Sequence, residues 1–144
     1  MRHVAKIDVH NKLALIRFQG PVKAEDGPKL LEALVADPDW QSDFDRLVIH
    51  DGGQYGDLDI DSLARIKPVM ANTLTHAQHG EMTRVAHVCS NDLYRPIIEY
   101  WILMTRTHYP SEARLFESEA LARSWLAQTR ASSGPAGMER CDTA

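Results

Sequence analysis

Cysteine is scarce in this chain, and so is anything that marks a secreted, membrane-spanning or nucleic-acid-bound protein. Two cysteines, Cys89 and Cys141, do not make a disulfide framework. Arg2-His3 is followed by alternating polar and apolar residues, not by the apolar run of a signal peptide. No stretch approaches the ~20 apolar residues of a membrane-spanning helix. A soluble cytoplasmic protein with no integral membrane segment is therefore expected. Sixteen basic residues stand against twenty acidic ones, for a net charge of −4, and they form no Lys/Arg cluster. Phosphate backbones are bound by concentrated positive charge, so no nucleic-acid partner is expected.

What is present is ordinary globular material. The 144 residues, 44% hydrophobic and 25% charged, suit one domain with a real core. His3–His10 and Leu13–Phe18 are β-rich runs split by Asn11-Lys12, which reads as a hairpin. Asp26-Gly27-Pro28 looks like a helix start, and Leu30, Leu31, Leu34 and Val35 give the helix an apolar face to about Asp37. Trp40 and Phe44 in the connection are expected to cover the edge of the core. Arg46–Asp51 is the central strand.

A Gly-rich acidic loop follows, and a helical pattern resumes at Ser62. Leu63, Ile66, Met70 and Leu74 share a face there, and Pro68 predicts either a kink or a fresh helix start. Gly80 is a stop signal. Thr83–Cys89 is a strand, and Ser90, Asn91 and Asp92 are N-cap candidates for a helix over 93–107. Ala113–Phe116 is a short strand. Ser118 can cap a last helix in which Leu121, Trp125 and Leu126 face inward. From Thr129 the periodicity stops, which suggests a flexible tail over 129–144.

The order is β-β-α-β-α-β-α-β-α. Strands alternating with helices imply parallel pairing, and the opening hairpin adds one antiparallel pair. The expected class is α/β: a mixed, mostly parallel five-stranded sheet with about four helices, in a single domain over 1–128.

Several local patterns in this order resemble the STAS-like family, in particular its SpoIIAA-like branch of small bacterial proteins. They are DPDWQSDFDRLVIHD (37–51), DLDIDSL (57–63), TRVAHVCSNDLYR (83–95) and RLFESEALARSWL (114–126). The resemblance implies STAS (SpoIIAA-like) architecture and a binding or regulatory module without enzymatic chemistry. Some wider-family members are phosphorylated on a serine just after the central strand. Here that place reads Asp51-Gly52-Gly53, and the next serine after the strand is Ser62. The SpoIIAA-like branch is also reminiscent of the CRAL-TRIO lipid-binding group.

The candidate chemistry is sparse. Asp57, Asp59 and Asp61 alternate like the start of a calcium loop, but Ser62 and Pro68 stand where that loop needs glycine and glutamate. Asp61 is read instead as a helix cap. Gly52, Gly53 and Gly56 could bring amides to an anion, against the repulsion of the loop's own carboxylates. His50 and His87 lie near Cys89 on strands expected to be neighbours, which raises a Cys–His nucleophile. A strand cysteine is more often a small buried hydrophobe. His76 and His79 have ligand-like spacing but no partners of the right type, so neither a metal nor a cofactor is expected.

At the carboxyl end of an open α/β sheet, where ligands and partners usually dock, Asp51, Gly52, Gly53 and Asp57 join Ser90, Asn91, Tyr94 and Arg95 as the candidate binding rim. Ile97, Ile98, Trp101, Ile102 and Met104 make a helix that is apolar nearly all the way round. Such a helix is deeply buried, covered by a second copy in a homodimer, or shaped around an apolar ligand. The leading expectation is a non-enzymatic module acting through protein contact; the alternative is a carrier or sensor of a small apolar, lipid-like ligand.

Overall fold

The computed structural model describes residues 2–79 and 81–128. The tail expected over 129–144 and the stop signal at Gly80 lie outside the described residues. In chain order the elements are β1 (Val4–Asp8), β2 (Leu13–Arg17), β3 (Gly20–Pro21), α1 (Asp26–Ala36), β4 (Asp45–Ile49) and β5 (Gly53–Gln54), then α2 (Ile60–Gln78), β6 (Thr83–Val88), α3 (Arg95–Thr105), β7 (Ser111–Phe116) and α4 (Glu119–Leu126). Five strands form one sheet in the order β1-β2-β4-β6-β7. The β1–β2 pair is antiparallel and the other neighbours are parallel. The chain is thus an α/β protein, with a mixed, mostly parallel five-stranded sheet and four helices among the described residues. Among the described residues no helix is long and apolar enough to cross a membrane.

The hairpin closes without glycine. Lys12 takes the left-handed conformation at φ 56°, and Asn11 braces the turn by donating from its backbone and side chain to Asp8, at 3.2 and 2.8 Å. A second, two-residue parallel ladder joins β3 to β5. So short a pairing has no period to betray it in the sequence.

Alternation along the strands divides the core in two. Leu15, Leu47, Ile49, Ala86 and Val88 face α4, where Ala122 and Trp125 cover them. Ala14, Ile16, Val48 and Val85 face the other way, and Leu30 and Leu34 of α1 pack on that side. Phe44 is buried, and Trp40 reaches across to donate from Nε1 to the Ala77 carbonyl at 3.3 Å.

Several local expectations are corrected. Asp59, not Asp61, caps α2: its Oδ1 accepts from the Ser62 amide at 2.7 Å, while Ser62 Oγ accepts from the Asp59 amide at 3.1 Å. This reciprocal box satisfies two amides that a helix start leaves orphaned. One helix then runs through Pro68 rather than restarting there. Ala64 and Pro68 are both exposed, so the carbonyl that loses its partner lies on the solvent side.

Helix α3 starts at Arg95, later than the capping residues suggested, because Asn91 Oδ1 is spent on the Leu93 amide at 2.9 Å, in the turn before the helix. Ser118 does cap α4, accepting from the Leu121 amide at 3.2 Å. Leu121 itself does not face inward: it is 56% exposed, while Ala122 and Trp125 are buried. One residue is about 100° of helix rotation, enough to turn Leu121 out when Ala122 and Trp125 set the inward stripe.

Candidate functional site

The same alternation that builds the core places three unlike residues on one face of the central strand: Arg46, Val48 and, just past the strand's end, His50. On neighbouring β6 the matching positions are Val85 and His87, since Arg46 pairs with Val85 and Val48 with His87. All five line a cavity of about 390 Å³ between the sheet and helices α1, α2 and α3. Val48, Val85 and Ala113 are short side chains for the middle of a sheet, and Met70, Ile97 and Trp101 stay only half-buried opposite them. The space left between them is mostly apolar.

Lys23, Thr105, Arg106, Tyr109 and Glu112 also contribute to the lining, and two buried polar features stand out in it. The first is a chain of rings. The Tyr55 hydroxyl is hydrogen-bonded to His50 Nδ1, and His50 Nε2 meets His87 Nδ1 at 2.8 Å. The two imidazoles stack with centroids 5.1 Å apart, and Phe18 stacks on His50 from the other side at 5.5 Å. Burial holds His50 well below its ordinary pKa, with neighbouring His87 adding to the effect. Burial pushes His87 down to about 3, helped by the positive charge of Arg46. Both rings are therefore neutral, each with one N–H and one bare nitrogen. If Tyr55 donates to His50, His50 donates to His87, and one donor, the His87 Nε2–H, is left over. The reverse direction strands both the Tyr55 O–H and the His87 Nε2 lone pair. The first assignment leaves fewer buried groups unsatisfied.

The second feature is Arg46. It is only 6% exposed. One terminal nitrogen donates to Gln78 Oε1 at 3.1 Å and the other to Ser111 Oγ at 3.3 Å. Both acceptors are neutral. Burial lowers the guanidinium pKa to about 10, with Tyr109 and Asp45 opposing the shift, so it stays cationic at neutral pH. Arg46 belongs to none of the ion pairs formed among the described residues. Adjacent Asp45 points to the sheet's other side, where its carboxylate accepts from the Arg84 amide at 2.8 Å.

The expected rim is partly assembled. Asp51 Oδ1 accepts from the Ser90 amide at 2.8 Å and from its hydroxyl at 3.1 Å, tying the ends of two strands together. Gly52 has φ +101°, which favours glycine, and Gly53 is buried in β5. Arg95 donates to the Cys89 carbonyl at 2.8 Å, and Asn91 Oδ1 holds the Leu93 amide. Tyr94 packs edge-on against Tyr55 at 5.3 Å, which joins the rim to the ring chain. Asp57 is exposed. Ile97, Ile98, Trp101 and Ile102 all line the cavity; Met104 does not.

His50 bonds to His87, not to Cys89, whose thiol contacts the Asn91 carbonyl at 3.5 Å. Burial raises the Cys89 pKa, the opposite of what an activated nucleophile needs. His76 bonds the Asn72 carbonyl within its own helix at 2.8 Å. Among the described residues no group of three or more His, Cys, Asp or Glu could hold a metal ion.

Sequence reasoning missed Arg46, Tyr55 and Gln78. For Arg46 a signal existed: in DRLVIHD, alternation puts the arginine on the same face of the sheet as Val48 and His50. No known protein family's sequence profile matches this chain, and no curated protein matches it significantly.

Proposed function

We propose that this chain is a non-enzymatic, STAS-like binding module that holds one small apolar, lipid-like ligand between its sheet and helices α1, α2 and α3. The cavity carries this reading. An apolar cavity of about 150 Å³ is enough to hold benzene, and the one here is about 390 Å³. By proportion it takes a ligand of roughly a dozen to sixteen non-hydrogen atoms, within the range of natural ligand pockets. A core packed for stability alone leaves few voids larger than a water molecule.

The absence of enzymatic work fits the chemistry of the lining. A histidine with its pKa near 3 is a poor base at neutral pH, and burial raises the pKa of the Cys89 thiol. Protein contact belongs to the same reading. Tyr55 touches both the cavity's ring chain and Tyr94 of the rim, so a partner bound at Asp51, Ser90 and Tyr94 would sense what the cavity holds. With Ile97, Ile98, Trp101 and Ile102 turned to the cavity, Leu103, 61% exposed, is what α3 offers a second copy in a homodimer.

The test is a titration of lipid-stripped protein with straight-chain alcohols of graded length, followed by calorimetry and native mass spectrometry. One-to-one binding with a length optimum is expected, and Val85→Phe, which fills the cavity, should abolish it. Failure of every chain length to bind would remove the reading.

A further inference from the structure

Resting on that reading, we propose that the ligand is a single-chain amphiphile with a compact anionic head, a carboxylate in the first instance, and that Arg46 is its counter-ion. Among the described residues Arg46 feels the charge of neighbouring Asp45 but forms no ion pair. A buried cation is normally matched by a buried anion, because removal from water costs several kcal/mol per ion. Arg46 is 6% exposed, lines the cavity and has no ion-pair partner among the described residues.

Its hydrogen bonding is also incomplete. A guanidinium carries five N–H donors. Gln78 and Ser111 take one each, so among the described residues three are left, enough for a two-pronged bond to a carboxylate. The two neutral partners orient the fork without neutralising it. Gln78 is itself pinned: its side-chain amide donates to the carbonyls of Glu81 at 2.8 Å and Pro110 at 2.9 Å, which leaves its oxygen for Arg46. Thr83 donates to that same oxygen at 3.3 Å.

The rest of the lining selects the rest of the molecule. Ile66, Met70, Val85, Ile97 and Trp101 offer no charge and little hydrogen bonding, which suits an alkyl tail. A saturated acid of twelve carbons has fourteen non-hydrogen atoms and fits the roughly a dozen to sixteen that the volume allows. A cationic amphiphile is disfavoured, because Arg46, Lys23 and Arg106 outnumber the one lining carboxylate, Glu112, which is itself paired with Arg114. A neutral one would leave the guanidinium desolvated and unpaired.

The test compares dodecanoate, dodecanol and acetate by calorimetry on the lipid-stripped full chain, in wild type, Arg46→Met and Arg46→Lys. Dodecanoate should bind wild type at least about tenfold more tightly than dodecanol, as a charge-assisted bond in a dry site implies. Acetate should bind far more weakly than either. Arg46→Met should keep dodecanol binding and lose the preference for the acid, and Arg46→Lys, which keeps the charge but not the fork, should retain part of it. Equal binding of acid and alcohol to wild type would overturn the head-group inference and leave the cavity reading standing; if neither binds, the cavity reading falls first. Acetate binding as tight as dodecanoate would overturn the amphiphile in favour of a small free anion. Arg46→Met that melts much lower yet keeps the preference would make Arg46 a purely structural residue. Should Arg46→Met not fold, Arg46→Lys decides: an unchanged acid-to-alcohol ratio overturns the proposal, and a reduced ratio with intact alcohol binding upholds it.

Discussion

Acidifying the ligand-free protein from about pH 7 to about pH 5.5 should remove about 2 kcal/mol of stability through two histidines alone. In the folded chain His50 and His87 are neutral, because burial depresses both pKa values, that of His87 to about 3. In the unfolded chain both titrate near 6.5. Folded values below unfolded ones mean that this contribution is complete above about pH 6.5 and is lost as the pH falls from there toward the folded values. At about pH 5.5 the unfolded state holds nearly one more proton at each histidine than the folded state. That is worth about 1 kcal/mol per histidine relative to pH 7, however far below 5.5 the folded values lie.

The carboxylates whose pKa values folding lowers, Asp8, Asp59 and Glu119, titrate below this window. Urea unfolding at the two pH values measures the loss, with an unchanged m-value as the check that the unfolded state is the same. A His50→Gln/His87→Gln double variant supplies the control, since its side chains still hydrogen-bond but do not titrate. The wild type should lose about 2 kcal/mol more than the variant, a sizeable part of the roughly 5–15 kcal/mol that holds a domain folded. Parallel losses in the two proteins would refute the assignment of buried, neutral rings.

Two further outcomes follow from packing. Gly53→Ala places a methyl 3.1 Å from Phe18 Cβ and 3.2 Å from both the His50 carbonyl oxygen and Tyr55 Cε2; a loss of about 1–3 kcal/mol is expected in chemical denaturation, and wild-type stability would show that the β5 crossing has room to give. Trp125→Ala should cost about 3–5 kcal/mol, because it empties the face under α4, whereas exposed Leu121→Ala should stay within about 0.5 kcal/mol. Equal effects in thermal melts would mean that α4 is rotated from the position described.

The division between what is local and what is tertiary runs through particular residues. Periodicity and capping chemistry act within about four residues, so the hairpin, the β-α alternation and the Ser118 cap were readable from the chain alone. Alternation along β4 also sets Arg46 with Val48 and His50 and opposite Leu47 and Ile49, but both faces of that strand are buried, and the role of Arg46 went unread. Errors of one or two residues arose where neighbouring side chains compete for the same role, as Asp59 and Asp61 do for the α2 cap and Leu121 and Ala122 do for the face of α4. Only the assembled sheet decides which side chains meet. Pairing Val48 with His87 sets the His50 and His87 rings side by side, and the fold brings Gln78 and Ser111, distant in sequence, to one guanidinium. A cavity, likewise, is a mismatch between the short side chains of one layer and the reach of the next. No single element encodes it, and none encodes the absence of an ion pair at Arg46 among the described residues, because both depend on how separate elements come together.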